Sequence, residues 1–292
     1  MTNDHPLLYW CLQPLLLVSV LALWLTDPTR EESYLLTIVG VQVILGVIEH
    51  YFPARPTWTT RAKEKVRNVL FVFVLSIIAV IIGEFYRDVL SHPLANFRQS
   101  LGLDIWPHDW PLLAQLFLVF FTSEFIWYWM HRAEHRWKIV WRLSGHGAHH
   151  AFKKLGALNF GLNHPAEYFL ILLPSLLVEL IFGVGAAAAG AAIFTVTQTS
   201  IVHANIAMNS RGIGWLFTTN KHHICHHSSV LEESNMNYGC SAIVWDRVFM
   251  TFLNRTVEDA GTGPTEPTMW QKFLMPVKEP DDTSIAPGGH SA

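Results

Sequence analysis

Four predominantly apolar stretches, residues 7–25, 34–52, 69–86 and 111–130, each approach the roughly 20 residues a helix needs to cross a bilayer, and no other feature narrows the fold as far. A fifth apolar region, 166–201, is broken by Pro174 and by Gly183-Val184-Gly185. It fits a helical hairpin, either two spans or a re-entrant pair, with both ends on one side. Composition agrees with a membrane protein: 51% of the chain is apolar and only 15% is charged. The formal net charge of -3 offers no basic face for phosphates, so nucleic acid is not an expected partner. Cys11, Cys225 and Cys240 are too few and too scattered for a disulfide framework or a CxxC zinc site.

Loop charges predict the topology. Arg55, Arg61, Lys63, Lys65 and Arg67 follow the second stretch, and Arg132, Arg136, Lys138, Arg142, Lys153 and Lys154 follow the fourth, which puts both segments in the cytoplasm. The loops at 26–33 and 87–110 are richer in acids and face the other side. Four crossings then leave the N-terminus, everything after residue 130 and the C-terminus cytoplasmic. The first apolar run lacks a basic n-region and a cleavage site, so it is expected to be retained as a span. Residues 1–110 read as N-terminal transmembrane helices and 111–253 as a second region. Residues 254–292, with five prolines and a closing Gly288-Gly289 pair before His290, read as a mostly flexible tail in which only 269–275 is apolar enough to dock. The small residues of 186–192 suit close helix packing in lipid.

Eleven of the 16 histidines fall between residues 131 and 227. They form His131-Arg132-Ala133-Glu134-His135, His146-Gly147-Ala148-His149-His150 and His222-His223-Ile224-Cys225-His226-His227. A helix brings positions i, i+3 and i+4 to one side, and both His146/His149/His150 and His223/His226/His227 have that spacing. The fourth span would run directly into His131 and His135, and His203 ends the hairpin. Imidazole is the commonest nitrogen ligand of first-row transition metals, and this number exceeds what one ion accepts, so two metals are expected. Few carboxylates accompany them, which disfavours magnesium and calcium. Iron fits the ligands, as do zinc and other divalent metals. Glu124, below His131 on the same helix, is a candidate partner for a ligating imidazole or for an arginine. His164, before Pro165, is a candidate for capping a helix or holding substrate. Glu167 is a candidate for backing a ligand or contacting substrate, or for favouring a helix N-terminus, and Asp246 suits either orienting a ligand or capping a turn. Cys225, at i+2 from His223, points elsewhere.

The order HxxxH, HxxHH, HHxxHH, after the span segment Phe125-Ile126-Trp127-Tyr128-Trp129-Met130, resembles the fatty acid hydroxylase/sterol desaturase superfamily. Asn163-His164-Pro165-Ala166-Glu167 resembles that family's HPxE segment. Asn237-Tyr238-Gly239 and Trp245-Asp246-Arg247-Val248-Phe249 resemble its closing NYG and WDRxFGT stretches, with Met250 where the family has glycine. The resemblance covers roughly residues 110–253. It implies an all-α, multi-pass integral membrane enzyme: four transmembrane helices, a helical hairpin, and a cytoplasmic helical cap carrying a histidine-rich dimetal site. Two irons, dioxygen and two electrons would hydroxylate or desaturate a membrane lipid such as a sterol, acyl, ether or amino-acid-containing lipid. The implied ligands are His131, His135, His146, His149, His150, His203, His223, His226 and His227, with His222 as a tenth contact. Ala207 stands where the fatty-acid 2-hydroxylase branch has a further histidine, which argues against that branch. No HPGG haem signature occurs, so electrons are expected from a separate cytochrome b5 or ferredoxin-type protein with its reductase. The competing expectations are a histidine-rich membrane metal, haem or transport protein without oxygenase activity, and a metal-dependent lipid hydrolase.

Overall fold

The computed structural model describes residues 5–30, 32–102, 104–209 and 211–278. Among them the chain is all-helical, with only an isolated antiparallel bridge between Ser228 and Ala260. Four helices are long and apolar enough to cross a bilayer: α1 (Pro6–Thr26), α2 (Ser33–Tyr51), α3 (Ala62–Ser100) and α4 (Leu112–Arg136). The count is the one expected, but α3 is far longer than the 69–86 stretch. At about 1.5 Å per residue it reaches about 58 Å, roughly twice the hydrocarbon thickness. Its polar extension continues because Glu84 and Arg87 pair one turn apart and Arg87 also binds Glu179 on the hairpin, so no breaker acts before Pro93 lies already inside the helix. Part of the expected 87–110 loop is therefore helix, and Lys63, Lys65 and Arg67 lie in its first turns.

Region 166–201 folds as the hairpin, α7 (Glu167–Phe182) and α8 (Ala186–His203), turned by Gly183 and Gly185. α8 is the central post, packed against α1, α2 and α4. Its small-residue tract makes that approach possible: a Cβ on Gly190 would stand 2.5 Å from Trp24 and 2.6 Å from Leu116, both buried. The apolar core joins Leu16, Val20 and Trp24 of α1, Leu116, Val119 and Phe120 of α4, and Ala187, Ala191 and Phe194 of α8. Wide apolar faces of α2 and α3 stay exposed, as a lipid solvent allows.

Short helices cap the end of the bundle where α4 and α8 finish: α5 (Lys138–Ser144), α6 (His146–His150), α9 (Asn220–His226), α10 (Leu231–Ser234), α11 (Val244–Val248) and α12 (Met269–Leu274). α12 docks on α6 through Met275, which meets Ala148 and Ala151. In the described part of the expected tail, up to residue 278, the chain meets the rest of the structure through polar contacts. Arg55 binds the carbonyls of Val257 and Glu258, Ser229 N–H donates to Asp259 O, and Lys153 Nζ reaches the carbonyls of Gly261 and Gly263. Composition gives little sign of this segment, because bonds from Arg55 and Lys153 to its carbonyls hold it together with only a few apolar side chains such as Val257 and Met275. Residues 279–292 lie outside the described residues.

Candidate metal centre

α4 carries His131 and His135 past the apolar span, one turn apart on a buried face. The chain then doubles back through α5 and a left-handed Gly145 (φ 76°) into α6. Only glycine suits that joint, since a Cβ there would lie 2.4 Å from His164 Cγ. α8 delivers His203 as its last residue, and α9 delivers His223 and His226, with His227 next in the chain. All nine imidazoles are buried.

They form two groups. His131, His135, His146, His150 and His226 bring one ring nitrogen each within 4.8 Å of the others, and so do His149, His203, His223 and His227. The division cuts through both short helices. His146 and His150 join one group and His149 the other; on α9, His223 and His227 join one and His226 the other. Helical geometry explains this, because i and i+4 differ by about 40° around the axis whereas i+3 and i+4 differ by about 100°. Each triplet thus straddles two sites.

Tautomers follow from the outer partners. The Nδ1–H of His131 donates to Tyr238 O (2.6 Å), that of His226 to Met236 O (2.8 Å), that of His203 to Thr199 O (2.8 Å) and that of His146 to Glu167 Oε1 (2.8 Å). His135 Nδ1 faces Asn235 Oδ1 at 3.3 Å. In neutral rings the Nε2 atoms then carry lone pairs. These lone pairs converge: His146 Nε2 is 3.0 Å from both His131 Nε2 and His135 Nε2, and His226 Nε2 is 3.2 Å from His131 Nε2. In the second group His203 Nε2 lies 3.3 Å from His149 Nε2 and 3.0 Å from His223 Nε2, which is 3.1 Å from His227 Nε2. Several acceptors aimed at one point with no protons between them repel, and a cation between them resolves the repulsion. The donor set fits a nitrogen-preferring transition metal at each group. Burial, reinforced by the neighbouring imidazoles, holds His146, His149, His150, His223, His226 and His227 well below the ordinary histidine range, so the ligand-competent neutral form is favoured.

Of the other expected residues, His222, His164 and Glu124 lie apart from both groups. His222, one position before His223, turns to Thr219 Oγ1 (3.2 Å) and to the ring of Phe252, so it is not a tenth contact. His164 Nδ1 accepts the N–H of Ala166, and its Nε2 meets Phe273 O, a cap and an anchor for α12. Glu124 meets neither a ligating imidazole nor an arginine; its Oε2 accepts the N–H of Ser241 (3.1 Å). Glu167 contacts the first group directly through His146. Asp246 does so at one remove: it accepts the N–H groups of Tyr238 and Gly239, both at 2.7 Å, and so fixes the carbonyl that receives His131. Cys225 is buried among Leu155, Ile224 and Val257. Glu134 is absent from the sequence-based expectation. It is fully buried, 3.8 Å from His146 Nδ1, and its signal was its place three residues after His131 on the same helix.

The family model of fatty acid hydroxylases matches residues 116–251, which include all nine histidines. The chain is 28% identical over 265 residues to the ornithine lipid hydroxylase OlsE of Rhizobium tropici, covering 85% of this chain and 77% of that protein. It is 26% identical over 153 residues to the alkylglycerol monooxygenase of Xenopus tropicalis, covering 51% of this chain and 32% of that one, so it spans about a third of the second relative. No solved structure matches.

Proposed function

From the match of residues 116–251 to the fatty acid hydroxylase model, we propose that the chain belongs to that family and is an oxygen-dependent membrane lipid hydroxylase with two irons. His131, His135, His146, His150 and His226 hold one, and His149, His203, His223 and His227 hold the other. The observation that carries this is the convergence of buried Nε2 lone pairs on two points, with the outer Nδ1 atoms of five rings turned to oxygen. When bound, iron supplies the redox chemistry through which dioxygen and two electrons act on a C–H bond. The balance is RH + O2 + 2 electrons + 2 protons giving ROH + H2O.

The protein's own contribution is position and exclusion of water. Carbonyls of Met236, Tyr238 and Thr199 fix ring orientation and tautomer. Trp127 stacks on His131 at 5.3 Å between ring centroids, and Tyr238 packs edge-on to His131, His135 and His226. These rings keep the pocket dry around a reactive centre. Charge asymmetry of the flanking segments supports a cytoplasmic histidine face, where a separate cytochrome b5 or ferredoxin-type donor would deliver electrons. Hydroxylation is favoured over desaturation because both named relatives are oxygen-inserting enzymes by name. An amino-acid-containing membrane lipid is the first substrate class to test, since the ornithine lipid hydroxylase matches along most of both chains.

The test is lipid mass spectrometry of host cells with and without the gene under 18O2, alongside metal analysis of the purified protein. The expected result is a lipid that gains one 18O atom and two irons per chain. Product oxygen drawn from water, or product made without dioxygen, would overturn the oxygenase assignment in favour of a hydrolase.

A further inference from the structure

The two histidine groups differ in what stands behind them. In the five-histidine group, His146 Nδ1 faces two carboxylates, Glu167 Oε1 at 2.8 Å and Glu134 Oε2 at 3.8 Å. Both acids are buried, at 1% and 0% exposure, and together with His146 they gather their ligand atoms within 4.8 Å. Glu134 Oε1 and Oε2 and Glu167 Oε2 meet no hydrogen-bond partner. The other outer partners in this group are neutral: two backbone carbonyls and the side-chain oxygen of Asn235. In the four-histidine group, His203 Nδ1 meets the Thr199 carbonyl, and the Nδ1 atoms of His149, His223 and His227 meet no partner. Among the described residues, no carboxylate is hydrogen-bonded or ion-paired to any of those four.

Two carboxylates removed from water without a cation beside them are expensive. A metal held by the Nε2 atom of His146 would supply a compensating charge one imidazole away. Conversely, a metal surrounded by neutral imidazoles keeps its full charge unless anions lie behind them, and an outer carboxylate raises the basicity of the imidazole it contacts. We propose that Glu134 and Glu167 make the two metal positions electronically unequal, so that the five-histidine position is the tighter and holds the more positive charge. This rests on the two-metal reading above. The two acids act through His146 and are positioning residues in that sense, and their negative charge, beyond their shape, is the operative property.

Conservative variants separate charge from shape. Glu167→Gln keeps an oxygen that can accept the Nδ1–H of His146 and removes the charge; Glu134→Gln removes the charge on the other flank at nearly constant shape. The full-length protein in nanodiscs, stripped by chelation, is titrated with cobalt(II) and followed by its visible absorption, with His227→Ala used to assign the band of the five-histidine position. Wild type is expected to fill that position first. Each Gln variant is expected to weaken it by about 10–100-fold, the usual range for losing an outer partner, and to leave the other position unchanged. Protein loaded with 57Fe gives a second readout: two distinct ferric Mössbauer signals in wild type, drawing together in the Gln variants. If Glu167→Gln and Glu134→Gln match wild type in both measurements, charge has no role and the inference is overturned, with Glu167 acting only to orient the ring. Equal weakening at both positions also overturns it, as a general loosening. Wild type that binds no second metal removes the two-metal reading itself, a failure distinguishable from the others because it precedes any variant.

Discussion

Asp246 offers the sharpest test of how the cap supports the centre. It has no exposed surface, and its Oδ1 accepts both Tyr238 N–H and Thr251 Oγ1–H at 2.7 Å, while Oδ2 accepts Gly239 N–H at 2.7 Å. Asp246→Ala strands these three donors. The Thr251 hydroxyl has an alternative in Tyr128 Oη at 2.9 Å, but the two backbone N–H groups have none. At about 1–3 kcal/mol for each buried unsatisfied donor, the expected loss is about 2–6 kcal/mol, a large part of the total stability of most domains. The turn so loosened presents the Tyr238 carbonyl to His131 at 2.6 Å. A direct outer partner is worth about 10–100-fold in metal affinity, so a residue one contact further out should be worth about tenfold. Thermal unfolding in nanodiscs reads the first effect, and metal content after dialysis against a weak chelator reads the second. The metal lost should be the one at the five-histidine group, taking the content from two toward one. An Asp246→Ala protein with unchanged unfolding temperature and full metal content would refute the chain of contacts from Asp246 through Tyr238 to His131.

Three further perturbations test other parts of the structure. Gly190→Ala drives a methyl into Trp24 and Leu116 and should destabilise by about 1–3 kcal/mol, whereas adding Leu116→Ala opens the space; a double-mutant cycle with less than additive loss is expected, and strict additivity would refute the close approach. Met250 adopts φ 60° with its side chain 88% exposed, so Met250→Gly relieves left-handed strain without removing packing and should stabilise by about 0.5–1 kcal/mol, seen as a higher unfolding temperature. Lys272, 3% exposed, packs over the Phe152 ring and pairs with Glu266 at 2.7 Å; burial lowers it to about 8. Between pH 8 and the ordinary lysine value of 10.5 the unfolded chain binds more protons than the folded one, so stability should rise with pH in that window by up to about 3 kcal/mol, and Lys272→Met should flatten the profile.

Much of the centre is legible in the sequence because imidazoles are costly to bury together without a purpose, and their helical spacing limits where they can point. Eight of the nine residues that converge are set apart by their spacing and His203 by its place at the end of the hairpin, while His222 lies outside both groups because a one-residue shift on α9 turns it away. The partition was not legible, because sharing a helix side does not reveal that i+3 and i+4 diverge enough to join different histidine groups. Of the five outer partners, Glu167 lies in a segment the sequence singles out, whereas three are backbone carbonyls, which any residue supplies, and Asn235 carries no such mark. Met250 is the opposite case, since its departure from the family's glycine pointed to a backbone position that turns out to be left-handed. The length of α3 was hidden because hydropathy marks the part in lipid, while ion pairs carry the helix beyond it.

The segment following residue 253 takes on a temporal meaning. Gly261 N–H donates to His227 O and Thr262 N–H to His150 O, so two consecutive residues bridge the ends of α9 and α6, the short helices that straddle both histidine groups. They follow His227, the last of the nine grouped histidines, and every bundle helix in the chain. A nascent chain can therefore insert its spans while α6 and α9 remain unlatched, and that latch waits for residues 261 and 262.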